Sequence, residues 1–204
     1  MSQIELSRYD NGWFEPGGSA LRRALWFFFG LPVLRSHVLP FSGLRVWLLR
    51  RFGAKVGQGV VVKTGVNVKY PWHLQVGDHT WLGEECWIDC LTTVRIGSHC
   101  CVSQGAYVCT GNHDWSDPAF GLMLAPVVME NGSWAGARSV LLPGAVLEEG
   151  AVAGAAAVVG GRVPAYEIHA GNPAVFVRKR RIRDDRPSRA DRSEEGAAER
   201  TVTA

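Results

Sequence analysis

Three kinds of residue in this chain have side chains suited to chemistry. His113 is followed by Asp114 inside the stretch TGNHDWSDPAF, Thr110 to Phe120. A neutral imidazole accepts a proton near physiological pH, and an adjacent carboxylate can hold the ring in one orientation, so the pair suits a general base acting on a hydroxyl. His79 and His99 stand 20 residues apart, a spacing that serves a shared metal only if the chain returns to the same place after that interval. Cys86, Cys90, Cys100, Cys101 and Cys109 supply thiols, but they form an odd set without zinc-type CxxC pairs. An isolated His at a loop edge is ordinarily a surface residue, so its meaning depends on the elements that hold it.

The bulk properties narrow those elements. With 204 residues and 47% apolar content, the chain suits one domain with a sizeable core. Its formal charge of +3 is too small to argue for nucleic acid, and much of the excess sits in RKRRIR, Arg178 to Arg183. Unpaired cysteines and the lack of a secretory signal predict a reducing compartment, hence the cytoplasm. The segment ALRRALWFFFGLPVL, Ala20 to Leu34, has too short an apolar run to span a bilayer, which takes ~20 residues. Arg22, Arg23 and Trp26 leave two readings open: a helix lying on a membrane surface, or a helix capping one end of a core.

The dominant signal is a repeat of six. Val56, Val76 and Ile96, each followed by Gly, are spaced by 20, and the units read VGQGVV VKTGVN VKYPWH, VGDHTW LGEECW IDCLTT, IGSHCC VSQGAY VCTGNH. After an interruption they resume as MENGSW AGARSV LLPGAV LEEGAV AGAAAV. The first residue of each unit is apolar at 56, 62, 68, 74, 76, 82, 88, 94, 96, 102, 108, 129, 135, 141, 147, 153 and 159. Six fits neither a 3.6-residue helix nor an alternating strand. It suits a solenoid with one inward residue per short strand, three strands per coil and coils stacked at ~4.8 Å. Small residues at the fifth position (Thr80, Cys86, Ala106, Ser133, Ala151) suit a tight corner, and glycines at the second are expected to relieve the turn.

These strings resemble the hexapeptide-repeat acyltransferases, whose fold is a left-handed parallel β-helix. The resemblance covers roughly residues 44–178 and rests on KYPWHLQVGDHTWLGEECWIDCLTTVRIGSHCCVSQGAYVCTGNHDWSDPAF, GSWAGARSVLLPGAV and VPAYEIHAGNPA. It is closest to the colanic acid and exopolysaccharide acetyltransferase branch. The expected division is a helical and aromatic segment over 1–50, the β-helix over 51–177 and a basic, then charged and solvated tail over 178–204, with a loop extruded at about 111–127.

The resemblance also implies a homotrimer, acetyl-coenzyme A in the groove between two prisms, and a His acting as base, which maps onto His113. Stacking by 20 puts Asp89 under Cys109, and His73 under Thr93 under His113, with His113 pointing outward. Asp114 is the candidate to orient the imidazole. Asp89 could bond an acceptor hydroxyl or be a polar turn residue. Trp87 and Tyr107 share an outward column that suits a sugar face or a subunit interface. Gly136, Ala137 and Ala155 are small where the family's coenzyme lies, although coil corners need small residues in any case. Gly160-Gly161 replaces a Thr-Lys pair common in relatives, leaving Arg162 or Arg178 to supply positive charge.

The expected acceptor is a saccharide, lipid-linked if Ala20–Leu34 touches a membrane. Acetylation of a free sugar or an antibiotic, a γ-carbonic-anhydrase-like metal protein and a non-catalytic scaffold are the alternatives. No metal is expected: the γ-class carbonic anhydrases share the fold and use three His, but the column of His79 and His99 lacks a third.

Overall fold

The computed structural model describes residues 3–183, so the expectation of a solvated tail over 184–204 lies outside the described residues. The repeat builds a three-faced parallel β-solenoid. One face stacks Lys55–Val56, Leu74–Val76, Val94–Ile96, Val127–Met129, Val146–Leu147 and Arg162–Val163. The second stacks Val61–Val62, Trp81–Leu82, Cys101–Val102, Trp134–Ala135, Val152–Ala153 and Glu167–Ala170; the third stacks Asn67–Val68, Trp87–Asp89, Tyr107–Cys109, Val140–Leu141 and Val158–Val159. Strands of two or three residues suffice because each coil gives its N–H groups to the next, as from Trp81 to the Cys100 carbonyl at 3.0 Å and from Trp134 to Ala151 at 2.8 Å.

The periodic residues are the core. Of the unit-initial positions all are buried except Val56, which is half-buried in the first coil. The register Val56, Val76, Ile96, Met129, Leu147, Val163 gives coil lengths of 20, 20, 33, 18 and 16 residues. The coil of 33 contains the extruded segment.

The glycines have a different role from the one expected. The left-handed corner falls on the fourth residue of the unit, where His79, His99, Arg138 and Ala156 have φ of 53°, 56°, 56° and 57°. At the second position the constraint is coil-to-coil approach: a Cβ on Gly136 would lie 2.7 Å from the Ala153 carbonyl oxygen of the next coil.

Helices cover the first coil. Helix α1 (Ala20–Leu25) starts at Ser19, whose Oγ accepts from Arg22 N at 3.2 Å, and runs through a π turn (Trp26–Gly30) into α2 (Leu31–Arg35). Trp26 is 2% exposed and its indole donates to the Val68 carbonyl at 3.1 Å, pinning this segment to the solenoid. Helix α3 (Ser42–Arg51) buries Val46, Leu48 and Leu49, and Ser42 Oγ accepts from Val62 N at 2.9 Å. The buried Arg45 guanidinium ties α3 to the end of α2 through the Leu34 and Ser36 carbonyls at 3.1 and 2.6 Å. The core-capping reading of Ala20–Leu34 therefore holds for its Trp26 and Leu34 side. At the other end Val175–Lys179 folds back antiparallel on Glu167–Ala170, and Arg180 donates to the Gly132 and Gly150 carbonyls at 2.7 and 2.9 Å.

Candidate active site

The regular coil ends earlier than the repeat suggests. Thr110 is fully buried; its hydroxyl donates to the Asp89 carbonyl and accepts from Leu91 N at 2.9 Å, fastening the exit point to the coil below. The chain then forms an antiparallel hairpin, Gly111–His113 with Leu122–Leu124, pairing His113 with Leu122. Ala125 N to the Thr110 carbonyl, 3.0 Å, closes its neck. The expected column of His73, Thr93 and His113 is consequently not built. The Thr93 carbonyl instead receives Val127 N at 3.2 Å, where the next coil begins, and His113 belongs to the hairpin rather than to an outward coil position.

Within the hairpin the imidazole is held on three sides. Nδ1 lies 2.9 Å from the Phe120 carbonyl oxygen. A carbonyl only accepts, so Nδ1 carries a proton, and in the neutral ring Nε2 is then the accepting nitrogen. Phe120 adopts a φ of 54°, costly for a bulky residue, and stacks on the imidazole at 4.5 Å and 7°. Tyr9 packs against the imidazole at 5.5 Å, brought there by an N-terminal segment whose Glu5 N bonds the Pro118 carbonyl at 2.8 Å.

Asp114 does not take the orienting role. Its carboxylate accepts from Ser116 N at 2.9 Å, from the Ser116 hydroxyl and from Asp117 N at 3.3 Å, closing the hairpin's tip. The bonds from Ser116 hold it below the usual carboxylate range. The Phe120 carbonyl orients the ring in its place.

One coil face gathers a second group. Asp89 registers with Cys109 as expected and is 6% exposed; its Oδ1 lies 3.2 Å from Lys69 Nζ and has no hydrogen-bond partner among the described residues. Trp87 and Tyr107 stack at 4.6 Å and 24°. Burial, together with the hydrogen bond to the Cys109 side chain, pushes the Tyr107 phenol up. Trp87 also borders two adjoining hollows of about 800 and 480 Å³, walled on the other side by Phe27, Phe28 and Leu31.

The coenzyme candidates divide between places. Gly136, Ala137 and Ala155 form one narrow stripe, with Ala156 N bonded to the Ala137 carbonyl at 2.8 Å across neighbouring coils. Arg162 stands on another face and pairs with Glu148. Arg178 lies in the folded-back strand, where Arg178, Lys179, Arg181 and Trp134 line a groove of about 970 Å³. Around Gly161 there is open space, and a Cβ there would meet nothing within 4 Å. His79 and His99 stack at 5.3 Å on their corners, and no three-ligand group is assembled among the described residues.

Sequence reading missed Phe120, Tyr9 and Lys69. Lys69 had a signal, since it precedes Asp89 by the coil interval of 20. Phe120 and Tyr9 had none, because the hairpin and the N-terminal segment follow no period.

Stacked coils of six-residue units around an aliphatic column, broken once by an inserted hairpin that holds a histidine, form a three-faced solenoid of the hexapeptide-repeat type. No family model matches the chain. WcaF of Escherichia coli K12, which carries the name colanic acid biosynthesis acetyltransferase, is 35% identical over 164 residues, 80% of this chain and 90% of that protein. Rv3034c of Mycobacterium tuberculosis, named as an acetyltransferase, is 31% identical over 61% of this chain and 43% of its own. Among solved structures, the hexapeptide-repeat acetyltransferase VCA0836 of Vibrio cholerae in complex with acetyl coenzyme A superposes with a TM-score of 0.72 at 22% identity, over 81% of this chain and 92% of that one. A galactoside acetyltransferase in complex with coenzyme A gives 0.71 at 22%, over 80% and 83%. The chain belongs to the WcaF-like family of hexapeptide-repeat acetyltransferases and is an acyltransferase.

Proposed function

We propose that this enzyme transfers acetyl from acetyl-coenzyme A directly to a sugar hydroxyl in exopolysaccharide synthesis, with His113 as general base. The observation that carries the reading is the Nδ1–H bond to the Phe120 carbonyl, which leaves Nε2 as a proton acceptor in a ring fixed by Phe120 and Tyr9. The name of WcaF supports the pathway, and the coenzyme complexes of VCA0836 and the galactoside enzyme support the donor.

In this mechanism the acceptor oxygen attacks the thioester carbonyl while Nε2 removes its proton. Backbone N–H groups stabilise the tetrahedral oxyanion. Collapse breaks the carbon–sulfur bond, and the imidazolium returns its proton to the departing thiolate. The stripe of Gly136, Ala137 and Ala155 suits the narrow pantetheine arm, while Arg178 suits the coenzyme phosphates. Asp89, beside Lys69, would accept from an acceptor hydroxyl, with Trp87 and Tyr107 offering an aromatic face to the sugar. The enzyme would work in the cytoplasm as a homotrimer, each coenzyme groove lying between two prisms.

The test is coenzyme A thiol release from acetyl-coenzyme A against a panel of free sugars and lipid-linked oligosaccharides, with His113→Ala in parallel. Acceptor-dependent release by the wild type alone supports the reading. Equal release by both proteins removes His113 from the mechanism, and an absence of release together with no coenzyme binding by calorimetry removes the transferase reading.

A further inference from the structure

From Pro16 to Gly77 the sequence contains no Asp or Glu, although it holds Arg22, Arg23, Arg35, Arg50, Arg51 and Lys55 among its basic residues. That stretch is the helical cap and the first coil, so all its cations gather at one end of the molecule. Arg22, Arg35 and Arg51 are exposed, and no carboxylate pairs with them among the described residues.

The same end exposes large apolar side chains. Leu21 is 69% exposed, Phe29 67% and Trp47 59%. The π turn explains part of this. Trp26 and Gly30 both face the solenoid, a Cβ on Gly30 would lie 2.3 Å from the indole, and the wider turn leaves Phe27, Phe28 and Phe29 outside together. Leu21 and Leu25, one turn apart, extend the apolar surface along α1. No helix among the described residues is long and apolar enough to cross a membrane.

We infer that the helical cap docks in the plane of an anionic lipid surface, inserting Leu21, Leu25 and Phe29 while Arg22 and Arg51 meet the headgroups. Exposed aromatics flanked by unpaired arginines match an interfacial element, in which apolar burial and attraction to anionic lipid act together. A twofold-related copy on this face would instead oppose arginine to arginine with no carboxylate from either cap. The inference stands apart from the transfer reaction, because binding is read without donor or acceptor.

The experiment is co-sedimentation of the full chain with vesicles of phosphatidylcholine alone and of phosphatidylcholine with phosphatidylglycerol, at low and high salt. Binding to the anionic vesicles only, weakened by salt, is expected. Arg22→Gln/Arg51→Gln should lower partitioning roughly tenfold or more, and Leu21→Ser/Phe29→Ser should abolish it, both with unchanged mass by light scattering and unchanged melting temperature. Wild type that ignores anionic vesicles overturns the inference, as does undiminished binding by both variants. Loss of oligomer mass in Leu21→Ser/Phe29→Ser would make the face a contact between copies instead.

Discussion

The stacked coils and the hairpin at Gly111–Leu124 are built by opposite means. In the coils every third strand repeats the same environment, so Val68, Ile88, Val108, Leu141 and Val159 occupy equivalent inward sites in one column. In the hairpin each residue is particular: Phe120 is held left-handed, Asp114 closes the tip, and His113 has one ring nitrogen tied and one free. The coils supply stability through repetition, and the hairpin holds one imidazole in a fixed orientation where the repetition stops.

Substitutions can separate these contributions. The largest effect is expected from His113→Ala, lowering kcat by ~10²–10⁴ while the melting temperature stays near wild type, since the half-buried ring supports no coil. A comparable fall in melting temperature would show the hairpin to be structural. Leu141→Ala reverses the pattern. This fully buried side chain should cost about 2–5 kcal/mol in chemical denaturation, with kcat of the remaining folded protein unchanged.

Phe120→Gly is intermediate. The carbonyl and its bond to Nδ1 remain, the left-handed strain is relieved, and the stacked ring is lost, so kcat should fall roughly tenfold with little change in melting temperature. Unchanged kcat would leave orientation to the carbonyl alone.

The smallest effect concerns Glu167, whose carboxylate is held below the ordinary 4.5 by hydrogen bonds from His169 and then Lys179. A depressed folded value means its stabilisation is present above the unfolded value and lost as pH falls through the folded one. Wild type and Glu167→Gln should therefore differ in melting temperature above about pH 4.5 and converge only as pH falls through the lower, folded value. A difference that persists in acid would mean that Glu167 acts through packing.

The same contrast governs what the sequence made legible. One apolar residue every six positions is enough to assign the coils, because an inward site tolerates few side chains and recurs. The stacking of Trp87 on Tyr107 and of Asp89 beneath Cys109 followed from the interval of 20 alone. The break near His113 was visible, but its form was not. An antiparallel hairpin that starts at Gly111 depends on pairings such as His113 with Leu122, which no period encodes. For that reason the column through Thr93 ends one coil short of His113, and the Phe120 carbonyl rather than Asp114 bonds the imidazole. Glycine at the second position of the unit is legible as a recurrence, but its cause, close contact with the adjacent coil, exists only once coils are stacked.

A stack of parallel strands has no natural length, and each open end exposes N–H and C=O groups that another stack could continue. Here α3 covers one end and the reversed strand Val175–Lys179 covers part of the other, held by Arg180 on the Gly132 and Gly150 carbonyls. These terminal pieces occupy backbone groups at which a further coil would have to add, so they oppose end-to-end growth at the edges they cover.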